Sequence, residues 1–157
     1  MIEDKSLEEK MNEAETLGRN YFRQGLNCSE CVLRSFMDRH ETGLPDEVIT
    51  LASGFGGGMG HTQNTCGAIT GAVLALGAVK GRKNPFALET PGERATELRT
   101  VYEPFAEMIH EIEAQYGTLI CKELCEPLGE FDDRPRKKNC QQIIGYCAAL
   151  AEKYAEE

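Results

Sequence analysis

Residues 66–81 read CGAITGAVLALGAVKG, and they carry no charged side chain before Lys80. Apolar and small residues fall on every side of a helix drawn through this segment, which predicts a helix buried on most sides. Gly67 and Gly71 stand one helical turn apart, where the missing side chains would let a second helix approach closely. We therefore expect a central helix here.

The rest of the chain carries helical patterns as well. Apolar residues recur at helical spacing almost throughout, and alternating runs of β-branched residues are scarce. The sequence therefore predicts a single-domain, all-α bundle of about six or seven helices over residues 1–157. Turn residues place the other helices at about 5–24, from Asn27 to about His40, at about 45–54, from Thr90 to Tyr116, after Thr118, and at about 140–155.

Three helix boundaries are predicted from local signals. The TPGE motif has Thr90 as N-cap and Glu93 as its capping-box partner. Pro104 predicts a kink or break in the long helix, because proline removes a backbone donor. Residues 126–139, EPLGEFDDRPRKKN, are predicted to form an irregular connection in which RPRKKN is a solvated basic loop, with Asn139 opening the last helix.

Composition argues against several classes of function. The formal net charge of −9 disfavours binding to nucleic acid or to an anionic membrane surface, since both need a cationic face. No apolar run approaches the ~20 residues of a transmembrane helix. The N-terminal stretch MIEDKSLEEKMNEAETLGRNYF is acidic and amphipathic, unlike a signal peptide. We expect a cytoplasmic protein.

The chain contains seven cysteines, and four of them follow a residue that commonly caps a helix. The unpaired amides and positive dipole end of a helix's first turn favour an anion, which for cysteine is the thiolate. The thiolate is both the nucleophile and the metal ligand, so this placement predicts chemistry. The four cysteines, each with its candidate N-cap, are Cys28 after Asn27, Cys66 after Thr65, Cys121 after Thr118, and Cys140 after Asn139.

The other three cysteines lie deeper in the same predicted helices. Cys31, Cys125 and Cys147 follow the first-turn cysteines at helical spacing and share a face with them. They are candidate ligands or resolving thiols. Buried free cysteine also packs as a small apolar residue, and we favour this interpretation for all three.

The glycine-rich loop GFGGGMG (residues 54–60) precedes Cys66. It fits neither the P-loop nor the dinucleotide-binding spacing, so a nucleotide site is disfavoured. Glycines also permit close approach of the backbone to another group. The candidate cofactor-contacting residues are Gly58, Gly60, Gly67 and Ala68.

These motifs resemble those of the C_GCAxxG_C_C family of small redox-active proteins, found mainly in anaerobic prokaryotes. The resemblance covers about residues 20–150 and implies an α-helical fold and a redox function. The residues that carry it are NCSECVL with Cys28, GFGGGMG and TCGAITGA with Cys66, Gly67, Ala68 and Gly71, CKEL with Cys121, and the late Cys140.

The chain departs from the family pattern in two respects. Its central motif reads cysteine-glycine-alanine where the family label has glycine first, and Cys31, Cys125 and Cys147 are additional. The split-Soret cytochromes contain a module that resembles this family. Here Val32 follows the C-x-x-C motif, so the sequence does not support covalent haem attachment.

Three hypotheses follow for the four first-turn cysteines. In the first, Cys28, Cys66, Cys121 and Cys140 converge as redox thiols, with Cys66 as the lowered-pKa thiolate and an unidentified redox partner. In the second, the same four thiolates bind a divalent metal or an iron-sulfur cluster. In the third, the cysteines only pack within a structural bundle, for which a homodimer formed through the glycine-bearing helix is one arrangement.

Overall fold

The structure is a computed structural model that describes residues 4–125 and 134–157. Within this part of the chain it contains six α-helices, one 3-10 helix and no strand, which confirms the predicted all-α class. None of its helices is both long and apolar enough to cross a bilayer. The elements are α1 (Leu7–Arg23), α2 (Cys28–Arg39), the 3-10 helix (Asp46–Phe55), α3 (Gly67–Lys80), α4 (Pro91–Tyr116), α5 (Cys121–Cys125) and α6 (Arg134–Glu156).

Side-chain caps begin several of these helices. Asn27 starts α2 with a complete capping box, in which its side chain accepts from the Glu30 amide and the Glu30 carboxylate accepts from the Asn27 amide. Thr90 caps α4 as predicted by accepting from the Glu93 amide, but its hydroxyl, rather than its backbone amide, donates to the Glu93 carboxylate. The α4 helix ends at Gly117 in the left-handed conformation.

The helix predicted at about 45–54 is present as the 3-10 helix Asp46–Phe55. The structure corrects two other predictions. The α4 helix continues through Pro104, so the predicted break does not occur. The last helix already includes Arg134, because arginine and lysine are good helix formers and a proline is tolerated in a first turn. The predicted connection over 126–133 lies outside the described residues.

The α6 helix packs against α1, α2 and α3, and α2 also packs against α1 and α3. The α4 helix lies against α3 and α6. Seven of the fourteen residues of α3 are buried, whereas Val79 near its end is 41% exposed. The fully buried side chains between the helices include Leu33, Ile69, Leu76, Met108, Ile112, Ile143, Ile144 and Leu150.

The predicted close approach of a second helix occurs where α2 crosses α3. A Cβ atom on Gly71 would stand 2.8 Å from the Ser29 carbonyl oxygen and 3.0 Å from the Cβ of Val32. A Cβ on Gly67 would stand 2.8 Å from the Phe55 carbonyl oxygen and 3.1 Å from the Cβ of Cys28. Glycine is therefore needed at both positions for α2 to reach α3.

We predict that Gly71→Ala lowers the free energy of unfolding by about 1–3 kcal/mol, because the new methyl group meets backbone atoms of α2. Gly77→Ala is the matched control on the same helix, since a Cβ there has no heavy atom within 4 Å. It should raise stability by up to about 1 kcal/mol through helix propensity. Urea unfolding of both variants measures the difference, and equal effects would contradict this packing.

Candidate thiol site

The glycine-rich loop folds back on itself through backbone hydrogen bonds. The Gly60 amide donates to the Gly54 carbonyl at 2.7 Å, and the Asn64 amide donates to Gly58 at 2.9 Å. The φ angles of Gly57, Gly58 and Gly60 are all positive, as are those of three non-glycine residues, Met59, His61 and Gln63. Such backbone is strained for L side chains, so the loop is held by its surroundings.

The end of this loop pairs with the segment before α5. The Cys66 amide donates to the Leu119 carbonyl at 2.9 Å, and the Cys121 amide donates to the Asn64 carbonyl at 2.6 Å. A Cβ on Gly58 would stand 2.8 Å from the Cβ of Cys121. The loop therefore fixes the backbone of Cys66 and Cys121 and packs directly against Cys121.

Four cysteines form a connected row of thiols, which we call the thiol chain: Cys28, Cys140, Cys125 and Cys121. The Sγ atoms of Cys125 and Cys140 lie 3.7 Å apart. Cys28 lies close enough to Cys140, and Cys121 close enough to Cys125, for the thiols of each pair to shift each other's pKa values. All seven cysteines of the protein are free thiols.

The surroundings of Cys125 favour its thiolate form. Hydrogen bonds from Cys121 and Cys140, together with the guanidinium of Arg136, hold the pKa of Cys125 well below its ordinary value in spite of burial. The pKa values of Cys121 and Cys140 are raised, because each is stabilised as the protonated donor to Cys125. Cys125 is only 2% exposed and Arg136 only 3%, so this charge is shielded from solvent.

Cys140 links Cys125 to Cys28. A thiol has one hydrogen to donate, so Cys140 can donate to Cys125 or to Cys28, but not to both at once. A hydrogen bond from Cys140 lowers the pKa of Cys28, helped by the backbone amides of Cys28 and Gly57 and opposed by burial. We therefore expect the Cys28 thiolate to be favoured when the Cys140 hydrogen points toward it.

The structure overturns the prediction that Cys66 is the lowered-pKa thiolate. Burial raises the pKa of Cys66 to about 12, although the amides of Ala68 and Ile69 act in the opposite direction. Cys66 is itself the N-cap of α3 and not a first-turn residue. The neighbouring thiols Cys28 and Cys125 raise its pKa further by electrostatic repulsion.

Of the other three predicted first-turn positions, two are confirmed and one is wrong. Cys28 and Cys121 are the first residues of α2 and α5, as expected. Cys140 is not in a first turn, because α6 already includes Arg134, and Asn139 does not cap it. The Asn139 side chain instead donates to the Leu124 carbonyl at 3.2 Å, which ties α6 to α5.

Two further cysteines are packing residues in this structure. Burial raises the pKa of Cys31 to about 12 and that of Cys147 well above its ordinary value. Both side chains are fully buried in the main core. The packing interpretation thus suits Cys31 and Cys147, whereas Cys125, for which we also favoured packing, belongs to the thiol chain.

The candidate cofactor-contacting residues lie in different surroundings. Gly58 packs on Cys121, Gly67 packs between Phe55 and Cys28, and Ala68 is fully buried in the core. Gly60 lines a large cleft among the described residues. Contact of these four residues with a cofactor stays a prediction.

This cleft has a volume of about 1190 Å³ and lies where α1 ends and where α2 and α6 begin. Cys28 and Cys140 line it, and both are partly exposed. Cys66, Cys121 and Cys125 are buried outside its lining. The thiol chain therefore has one end, Cys28 and Cys140, open to a ligand.

To bind one metal ion or cluster, the sulfur atoms of the four predicted cysteines would have to surround a common position. Over residues 4–125 and 134–157, no group of three or more His, Cys, Asp or Glu side chains is arranged to hold a metal ion. The thiol chain is a row, and Cys66 stands beside it. A metal or cluster bound by Cys28, Cys66, Cys121 and Cys140 stays a prediction.

Comparison with known protein families gives one match. Residues 26–154 match the model of the family described as "Putative redox-active protein (C_GCAxxG_C_C)". The chain belongs to this family. Neither the curated proteins nor the solved structures contain a significant match. Membership of C_GCAxxG_C_C confirms the resemblance found in the sequence.

Sequence reasoning missed two residues of this C_GCAxxG_C_C site. The sequence favoured packing for Cys125, because buried free cysteine packs as a small apolar residue. It placed Arg136 in a segment predicted to be a solvated loop. The signal that could have identified Arg136 is its helical spacing, since it lies four residues before Cys140 on α6.

The Cys125 thiolate can be tested with a pair of Cys121 variants. Cys121→Ala removes a donor to Cys125, so the pKa of Cys125 should rise by about one or two units, given that a hydrogen bond to a charged group is worth about 1.5–3 kcal/mol. Cys121→Ser keeps a hydroxyl donor and should leave the pKa low. The ultraviolet absorbance of thiolate against pH, in fully reduced protein, measures both.

A Cys125→Ala variant identifies the titration step that belongs to Cys125. In the wild-type protein this step should lie below the ordinary cysteine range, so that Cys125 is ionised at neutral pH. If removing Cys125 leaves the low-pH step in place, the assignment of the thiolate is wrong.

Proposed function

We propose that this protein is a cytoplasmic dithiol redox protein that exchanges disulfides through Cys28 and Cys140. The observation that carries this proposal is the position of Cys140, which contacts both the cleft-lining Cys28 and the buried Cys125 thiolate. Seven free thiols are compatible with a reducing compartment, where cysteines are commonly catalytic or redox-sensing.

Cys28 is the attacking nucleophile in this proposal. It begins α2, where backbone amides and the helix dipole favour its thiolate, and it is accessible from the cleft. The Cys28 sulfur attacks one sulfur of a disulfide substrate. The substrate S–S bond breaks, a mixed disulfide with Cys28 forms, and one thiolate leaves.

Cys140 then resolves the mixed disulfide. Its sulfur attacks the Cys28 sulfur while its proton passes to the Cys125 thiolate, which already accepts its hydrogen bond. The Cys28–Cys140 disulfide forms and the second substrate thiolate leaves. Two protein thiols are oxidised, and one substrate disulfide is reduced to two thiols.

Return of the protein to the dithiol form needs a reductant of the dithiol class. That reductant is an unidentified redox partner whose two thiols become a disulfide as the Cys28–Cys140 bond is broken. A homodimer is a separate proposal, and the exchange steps do not depend on it.

The test is a count of free thiols in the denatured protein before and after mild oxidation with a small disulfide. Wild-type protein should lose two thiols and recover them with dithiothreitol. The loss of this pair should be abolished in Cys28→Ser and in Cys140→Ser, because each variant lacks one member of it.

Two matched variants serve as controls. Cys31→Ala removes a buried thiol one turn along α2, and Cys66→Ser removes the thiol that the sequence favoured as nucleophile. Both should still lose two thiols. An undiminished thiol count in oxidised wild-type protein would refute the proposal, as would stoichiometric iron or zinc bound by these cysteines in anaerobically purified protein.

A further inference from the structure

The rim of the cleft carries a concentration of positive charge. Arg23 lies at the end of α1, and Arg134, Lys137 and Lys138 lie in the first turns of α6. All four side chains are exposed, whereas Cys28 and Cys140 are partly buried. On α6 the three basic residues stand at helical spacing, so they share the face that borders the cleft.

Acidic residues do not balance this charge within the part of the chain that the structure describes. The described lining of the cleft contains no aspartate or glutamate. None of the four cations forms an ion pair with a described carboxylate; Arg23 donates to the Asn20 side chain at 2.7 Å. The nearby Glu30 carboxylate accepts from the Asn27 amide and from the Ser53 hydroxyl. Among the described residues, the opening above the two thiols is thus cationic, in a chain whose formal net charge is −9.

We propose that the cleft selects an anionic disulfide of low molecular mass, with its negative groups held by Arg134, Lys137 and Lys138 while its disulfide meets Cys28. The proposal rests on the proposed function and names the substrate class of that site. Opposite charge in a concave site raises the local concentration of the ligand and its rate of association.

The shape of the cleft favours a small molecule. Its volume of about 1190 Å³ is slightly larger than the range of about 300–1,000 Å³ found for small-molecule pockets. Phe22 and Leu26 provide apolar lining beside the thiols, and Gly56, Gly57 and Gly60 bring backbone close without side chains. The apolar lining would receive the carbon chain of the disulfide, and the exposed cations would receive its charged ends.

The test compares two aliphatic disulfides that differ in charge. The dianionic probe is 3,3′-dithiodipropionate, and the neutral probe is 2-hydroxyethyl disulfide. In the double variant Lys137→Gln/Lys138→Gln, the rate of exchange with the dianion should fall by about tenfold, since steering by charge is commonly worth a factor of 10 or more. The rate with the neutral disulfide should change by less than about twofold, because it gains little from steering.

The control variant Lys83→Gln/Arg99→Gln removes the same amount of charge from exposed positions outside the lining. It should leave both rates within about twofold, because neither side chain lines the cleft. Equal effects of the two double variants, or equal losses for both disulfides, would overturn the inference and leave the exchange reaction intact. Failure of wild-type protein to react with the neutral disulfide would instead refute the proposed function, and with it the inference.

Discussion

The close approach of α2 to the beginning of α3 is the constraint on which both the fold and the site depend. At Gly67 a single added carbon would stand 2.8 Å from the Phe55 carbonyl and 3.1 Å from the Cβ of Cys28, and at Gly71 it would meet the Ser29 carbonyl. Only glycine allows the helices to meet there. The same contact holds Cys28 at the mouth of the cleft, so the packing of the bundle also positions a reactive thiol.

Electrostatics within the thiol chain follow from a competition between burial and hydrogen bonding. Burial alone disfavours thiolates, and it raises the pKa values of Cys31, Cys66 and Cys147. Cys125 is equally hidden from solvent, yet two thiol donors and Arg136 reverse the direction for this residue. These neighbours favour an ionised Cys125 sulfur inside the protein, next to the thiol that must lose a proton in the proposed exchange.

The sequence predicted the helical class, the first-turn positions of Cys28 and Cys121, and the close helix contact at Gly71. These features depend on local signals, namely apolar periodicity, an Asn cap and small residues one turn apart. The place of Cys125 and Arg136 could not be predicted in the same way, because it depends on how α5 and α6 pack together. Cys66 was misjudged because its position at a helix start was visible in the sequence, whereas its burial was not.

The most direct measurement identifies the first disulfide that forms when the reduced protein is mildly oxidised. The remaining thiols are alkylated, and the peptides of the protein are then analysed by mass spectrometry. The account predicts one peptide pair that joins Cys28 to Cys140, with Cys66 recovered in the alkylated form. Recovery of Cys28 as an alkylated thiol, with the disulfide formed between other cysteines, would contradict it.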